Sequence, residues 1–151
     1  MTSRILLLGL GLSAGGCLGL FPMGETYLRV EGQVYQWQAP PAGSESKILM
    51  ESTITSPTSD GVPIEGCSIV AGPFTLPSVP TSAEAARLRG GRGASNQAGQ
   101  FSVGIMTNKK RGHEATLYIS CPGFKPTFQL FQNVALTNPA RAFMVREESP
   151  K

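Results

Sequence analysis

Histidine and aspartate are nearly absent: the 151 residues include one of each, His113 and Asp60. A Ser-His-Asp triad would need both. They fall in different loops, His113 in a cationic one and Asp60 in a Ser/Thr-rich one, so that chemistry is set aside. His113-Glu114 also lacks the second histidine of a zinc-protease motif. Nothing in the residue inventory calls for a metal, a cofactor or an enzyme. Charged residues amount to only 15%, too few for a long disordered polar chain. The net charge of +3 is well short of a nucleic-acid-binding signature. Long hydrophobic runs are missing too. The apolar run from Ile5 to Leu12 is far shorter than the roughly 20 residues of a membrane-spanning helix. Glycine and proline, by contrast, are plentiful, at 18 and 12, which favours short elements joined by turns.

The N-terminus reads as an address. Arg4 precedes the apolar run, and the small residues Ser13, Ala14, Gly15 and Gly16 lead to Cys17. A basic start, a short apolar core and a small-residue cleavage region make a secretory signal. The glycines of this stretch are not a nucleotide loop, because no strand precedes them and no helix-forming segment follows. Ala14-Gly15-Gly16-Cys17 resembles the lipobox of bacterial lipoproteins, with Ala14 where that motif most often has leucine. The resemblance implies cleavage before Cys17, lipidation of its thiol and acylation of the new amine. Leu18, rather than aspartate, follows the cysteine. In a Gram-negative cell this implies sorting to the outer membrane. The expected layout is a signal peptide over 1–16, a lipidated Cys17 and tether over 17–26, one domain over 27–146 and a tail over 147–151.

Alternation of period two starts at Tyr27. Leu28, Val30 and Val34 share one parity, with Arg29, Glu31 and Gln33 on the other, which predicts a half-buried strand. Residues 47–55 and 67–71 predict further strands. Residues 82–89 predict two helical turns, with Ser82 as N-cap and Gly90 as the stop; 90–95 then reads as loop. Phe101, Val103 and Ile105 alternate with polar or small neighbours, as do Leu117, Ile119 and Cys121. With the polar run 108–113 between them, these two strands are expected to pair as a hairpin. Weaker strands are expected over 127–131 and 142–145. About seven short strands with frequent turns predict an all-β, antiparallel sandwich.

Four motifs carry a second resemblance: Val30-x-Gly32-x-Val34; Gly61-Val-Pro-Ile-Glu-Gly-Cys67; Ser95-Asn-Gln-Ala-Gly-Gln-Phe101; and Leu117-x-Ile119-x-Cys121-Pro-Gly-Phe124. In that order they resemble the carboxypeptidase regulatory-like domain, a transthyretin-like (prealbumin-type) β-sandwich. Gly66 and Gly99 fall where a turn feeds a strand and positive φ is tolerated. Asn96 replaces the family's aspartate and keeps its local hydrogen bond. The segments 38–60 and 72–94 are longer than the family's, and the first is expected to add a strand or hairpin. The fold's enzyme branch, the hydroxyisourate hydrolases, uses several histidines and a C-terminal Tyr-Arg-Gly-Ser. This chain has one histidine and ends Arg146-Glu-Glu-Ser-Pro-Lys151, so those catalytic residues do not carry over.

The remaining candidates concern binding and cross-linking. With Cys17 lipidated, Cys67 and Cys121 remain, an even pair for an oxidising compartment. Both have inward parity, and in the resembled family these positions face the core from strands that can approach. A disulfide is expected; two separate buried thiols are the alternative, since sequence does not supply a Cα separation. Tyr35 and Trp37 share the outward parity and could stack a sugar ring, unless the inserted segment from Lys47 covers them. Arg87, Arg89 and Arg92, and Lys109, Lys110 and Arg111, form two basic clusters that read as solvated loop charge. The expected function is a non-catalytic, membrane-anchored envelope lipoprotein presenting an interaction module, with a carbohydrate-binding module as the alternative. Its partners are then membrane lipid through Cys17 and an envelope protein or glycan, and not nucleic acid.

Overall fold

The computed structural model describes residues 25–50, 61–108, 114–132 and 139–148. Within them the chain is all-β apart from one short helix, and its strands form two sheets. The first sheet contains β1 (Glu25–Trp37), β2 (Lys47–Met50), β3 (Gly61–Pro63), β6 (Gln100–Asn108) and β9 (Ala140–Met144). The second has the order β5-β4-β7-β8, from β4 (Ser68–Gly72), β5 (Gly91–Ala94), β7 (Ala115–Ser120) and β8 (Thr127–Phe131).

β1 organises the first sheet. One edge pairs with β9, and β2 pairs with the far side of β9. Its other edge is shared, β6 taking Glu25 to Gln33 and β3 taking Tyr35 to Trp37. At the junction the Val34 amide donates to the Gly99 carbonyl (2.8 Å), and the Val34 carbonyl accepts from the Ile64 amide (3.0 Å). β9 runs parallel to β1, so this sheet is mixed and not purely antiparallel. The described residues hold nine strands rather than about seven.

The core follows the alternation. Val30, Val34, Ile48, Phe101, Val103, Ile105, Ala142 and Met144 meet Ile69, Ala71, Leu117, Ile119 and Phe131 in one buried cluster. Full burial of each larger side chain is worth about 1.5–3 kcal/mol. Cys67 and Cys121 lie in this cluster, one step beyond the Ser68↔Ser120 pair of the β4–β7 ladder. They are joined by a disulfide, with Cα atoms 4.2 Å apart.

β6 and β7 do not pair. β6 lies beside β1, and β7 lies between β4 and β8 in the other sheet. Alternation fixes which face of a strand is buried, not which strand lies next to it. Phe101, Val103 and Ile105 therefore contribute to the same core as Leu117 and Ile119 from the opposite layer. Residues 91–94, expected as loop, form the edge strand β5. Glycine is depleted in strands because it adds no side-chain packing, but here its bareness is what the contact requires. A Cβ on Gly91 would lie 1.8 Å from the Gly104 carbonyl oxygen of β6. The two sheets close on each other along this edge.

The insertion between β4 and β5 forms a lid on the outer face of the second sheet. Its helix α1 (Ser82–Arg87) buries Ala85 against Val70 and Tyr118, with Phe74, Leu76, Leu88 and Phe128 packed around them. The N-cap is Thr81, not Ser82. Thr81 Oγ1 accepts from the Glu84 amide (3.4 Å), and the Glu84 carboxylate accepts from the Thr81 amide (2.8 Å). That reciprocal box needs an acid three residues on, and Ser82 has Ala85 there. The Thr81 amide, and after it the Thr81 hydroxyl donating to the same carboxylate (2.9 Å), hold the Glu84 carboxyl below its ordinary value of 4.5. The helix ends with Leu88 as C-cap, so Gly90 is not its stop.

Candidate functional site

Tyr35 and Trp37 occupy the end of β1 remote from Glu25, on the outward face of the first sheet. Thirteen residues at about 3.3 Å per step put roughly 40 Å between the two ends of the strand. The strand order β2-β9-β1 brings residues from distant parts of the sequence beside this pair. Tyr35 is the register partner of Phe143, which in turn is the partner of Lys47. The Tyr35 and Phe143 rings stack with centroids 6.1 Å apart, and the Tyr35 hydroxyl donates to Gln33 Oε1 (2.5 Å). The Lys47 ammonium sits 4.2 Å from the centre of the Trp37 ring, a cation–π contact worth about 0.5–1 kcal/mol at an exposed site. Both aromatic residues are half-buried. The segment beginning at Lys47 thus reaches Trp37, while Tyr35 is held by Phe143.

Trp37 also forms part of the wall of a cavity of about 270 Å³, shared with Pro40, Pro41, Lys125, Arg146 and Glu148. Ala39, in the loop lining it, has φ of 48°. That left-handed conformation is costly for a residue with a Cβ, by about 1–2 kcal/mol. Lys125 donates to Glu45 (2.9 Å) and to the Ser44 carbonyl (3.2 Å), and Arg146 donates to Gln36 (3.3 Å). At the rim, therefore, the two cations Lys125 and Arg146 are engaged with neighbouring groups beside one indole.

Beneath this rim a buried serine ties the layers together. Ser46 Oγ donates to the Lys125 carbonyl (2.6 Å) and accepts from the Val145 amide (2.8 Å), while Thr127 Oγ1 donates to the Ser46 carbonyl (2.9 Å). Sequence reading missed Ser46, Lys125, Phe143 and Arg146. Their roles depend on pairings across about 80 to 110 residues of chain, for which the sequence offers no local signal. The adjacent Pro40-Pro41 pair was the available hint that the chain turns back at Trp37.

A second, larger concavity of about 640 Å³ is lined by Glu31, Gln33, Asn96, Gln100, Ser102 and Arg141, among others. Asn96 has a structural task there: its side-chain oxygen accepts from the amides of Ala98 (3.0 Å) and Gln100 (2.9 Å). Gly99 and Gly66 have φ of 71° and 74°, as the turn motifs require.

The basic residues separate. Arg92 donates to the carbonyls of Ala86 (3.0 Å) and Leu88 (2.8 Å), closing the C-terminal end of α1. Arg87 and Arg89 are exposed. Lys109, Lys110, Arg111, His113, Asp60 and Cys17 lie outside the described residues. Among the described residues no three His, Cys, Asp or Glu side chains cluster to hold a metal. In comparisons with known proteins, no family model, curated protein or solved structure matches this chain.

Proposed function

We propose that this is an exported lipoprotein of the cell envelope, anchored through Cys17, that presents a transthyretin-like β-sandwich as a non-catalytic interaction module. The observation that carries the reading is the Cys67–Cys121 bridge. It uses two of the three cysteines and suits an oxidising compartment. The third, Cys17, then stands alone behind a short apolar run and a lipobox-like Ala-Gly-Gly. The layout of the sandwich supports the family reading. Val30-x-Gly32-x-Val34 runs along β1, and a Cβ on Gly32 would lie 2.2 Å from the Ala140 carbonyl. The Asn96–Gly99 turn feeds β6, and β7 leads into the turn that closes from the Phe124 amide to the Cys121 carbonyl (3.1 Å). The longer segments supply β2, α1 and β5.

Intact-mass measurement of the protein extracted from its native membrane tests the anchor. The expected species starts at Cys17, carries acyl groups and partitions into detergent. Cys17→Ser releases or mislocalises it. An unmodified chain beginning elsewhere overturns the proposal. A second reading, a carbohydrate-binding module, is favoured by the placement of Trp37 in a cavity wall at the end of β1 remote from the tether. A glycan array tests it: Trp37→Ala should abolish binding without unfolding the domain, and absence of any glycan ligand for the unaltered protein removes this reading.

A further inference from the structure

The end of the sandwich nearest the tether carries an apolar surface that the core does not use. Tyr27 is 63% exposed and Met106 41%. They are register partners on β1 and β6, two steps from the terminal pair Glu25↔Asn108, so both side chains leave the same outward face. Tyr27 lies over Gly104, where an added Cβ would come within 3 Å of its ring. The ring is thereby laid along the sheet while most of its surface stays open. Tyrosine, with an apolar body and a polar tip, is suited to a membrane–water interface.

We infer that Tyr27 and Met106 rest on the lipid surface beside the anchor, holding the sandwich with its Trp37 end pointing away from the membrane. The inference rests on acylation of Cys17. Where the chain enters β1 identifies the occupant. Seven residues lie between Cys17 and Glu25, and the eight backbone steps span at most about 28 Å. That is shorter than β1 itself, so the Tyr27 end stays within about 28 Å of the anchor whereas the Trp37 end can stand farther off. Two side chains are a weak membrane ligand for a free protein. A short tether raises their effective concentration to about the millimolar range, where a weak contact is populated.

Quenching by brominated lipids reads this contact. The membrane-extracted protein is reconstituted in phosphatidylcholine vesicles with brominated acyl chains. Trp37, the one tryptophan, reports the remote end. Tyr27→Trp in a Trp37→Phe background reports the near end, and Met106→Trp in that background serves if the first variant does not fold. The near-end reporter should lose about half its emission or more, as expected for a side chain in the headgroup–acyl boundary, while Trp37 in the unaltered protein keeps its emission. Equal quenching at both ends, or none at either, overturns the inference. Failure of the anchor is seen separately, as a missing acyl mass on Cys17. That thiol is then joined to a maleimide lipid and the quenching measured again, so the surface contact is read independently of native acylation.

Discussion

The disulfide offers the sharpest test of how this domain is held together. Cys67 and Cys121 are 54 residues apart, so reduction or replacement frees a loop of that length in the unfolded chain. The chain-entropy relation gives about 14 cal/mol/K for it, or about 4 kcal/mol at 25 °C. Both residues are buried, Cys67 completely and Cys121 nearly so. Cys67→Ala/Cys121→Ala therefore also removes packed sulfur atoms, which adds to the loss and does not offset it. A domain of about 120 residues has an unfolding entropy near 0.25 kcal/mol/K at its midpoint, so 4 kcal/mol corresponds to a fall in Tm of about 15 °C. Serine is the wrong replacement, because it would bury hydroxyls among apolar neighbours.

Thermal and urea unfolding of the oxidised protein and the double alanine variant measure this effect. The variant should melt about 15 °C lower and show a larger urea m-value, since its unfolded chain exposes more surface. A Tm loss of under about 4 °C, with m unchanged, would refute the loop-entropy reasoning. Peptide mapping without reductant checks the premise: recovery of Cys67 and Cys121 as free, alkylatable thiols in folded oxidised protein would mean there is no bridge to remove.

Three further outcomes follow from contacts already described. Gly91→Val places a Cβ 1.8 Å from the Gly104 carbonyl oxygen and should destabilise by about 2 kcal/mol or more, seen as a lower urea midpoint; unchanged stability would mean β5 does not press on β6. Arg92→Ala should cost about 1 kcal/mol by removing the donor to the α1 carbonyls, whereas Arg89→Ala should stay within about 0.5 kcal/mol, and equal losses would contradict the separation of the basic cluster. Ser46→Ala strands the buried Val145 amide and should cost about 1–3 kcal/mol, with faster hydrogen exchange at Val145 as the specific signature.

The legible part of the fold was the part governed by local periodicity. Alternation alone places Leu28, Val30, Val34, Phe101, Val103, Ile105, Leu117 and Ile119 on inward faces; all are buried except Leu28, which is half-buried against the core. The positive φ at Gly66 and Gly99 was readable because each sits in a turn whose chemistry is contained within a few residues. The inward parity of Cys67 and Cys121 made a bridge expected, but their Cα separation depended on the β4–β7 register. No local pattern encodes that pairing, and the same gap produced the β6–β7 hairpin that is absent.

The Arg-Gly-Gly-Arg-Gly stretch from Arg89 shows why the other errors arose. Read alone, it is cationic, lacks apolar residues and looks like a solvated loop. In the fold, Gly91 is small because the β6 backbone passes close by, and Arg92 is cationic because a six-residue helix on the outer face ends beside it. Neither cause lies within the stretch. The candidate site has the same character. The outward parity of Tyr35 and Trp37 was readable, since it needs only their spacing. Their neighbours, Phe143 and Lys47, are set by a parallel pairing of β9 with β1 and an antiparallel pairing of β2 with β9. Sequence spacing could therefore place the aromatic pair on a face, but only the strand order could decide how much of that face remains open to a ligand.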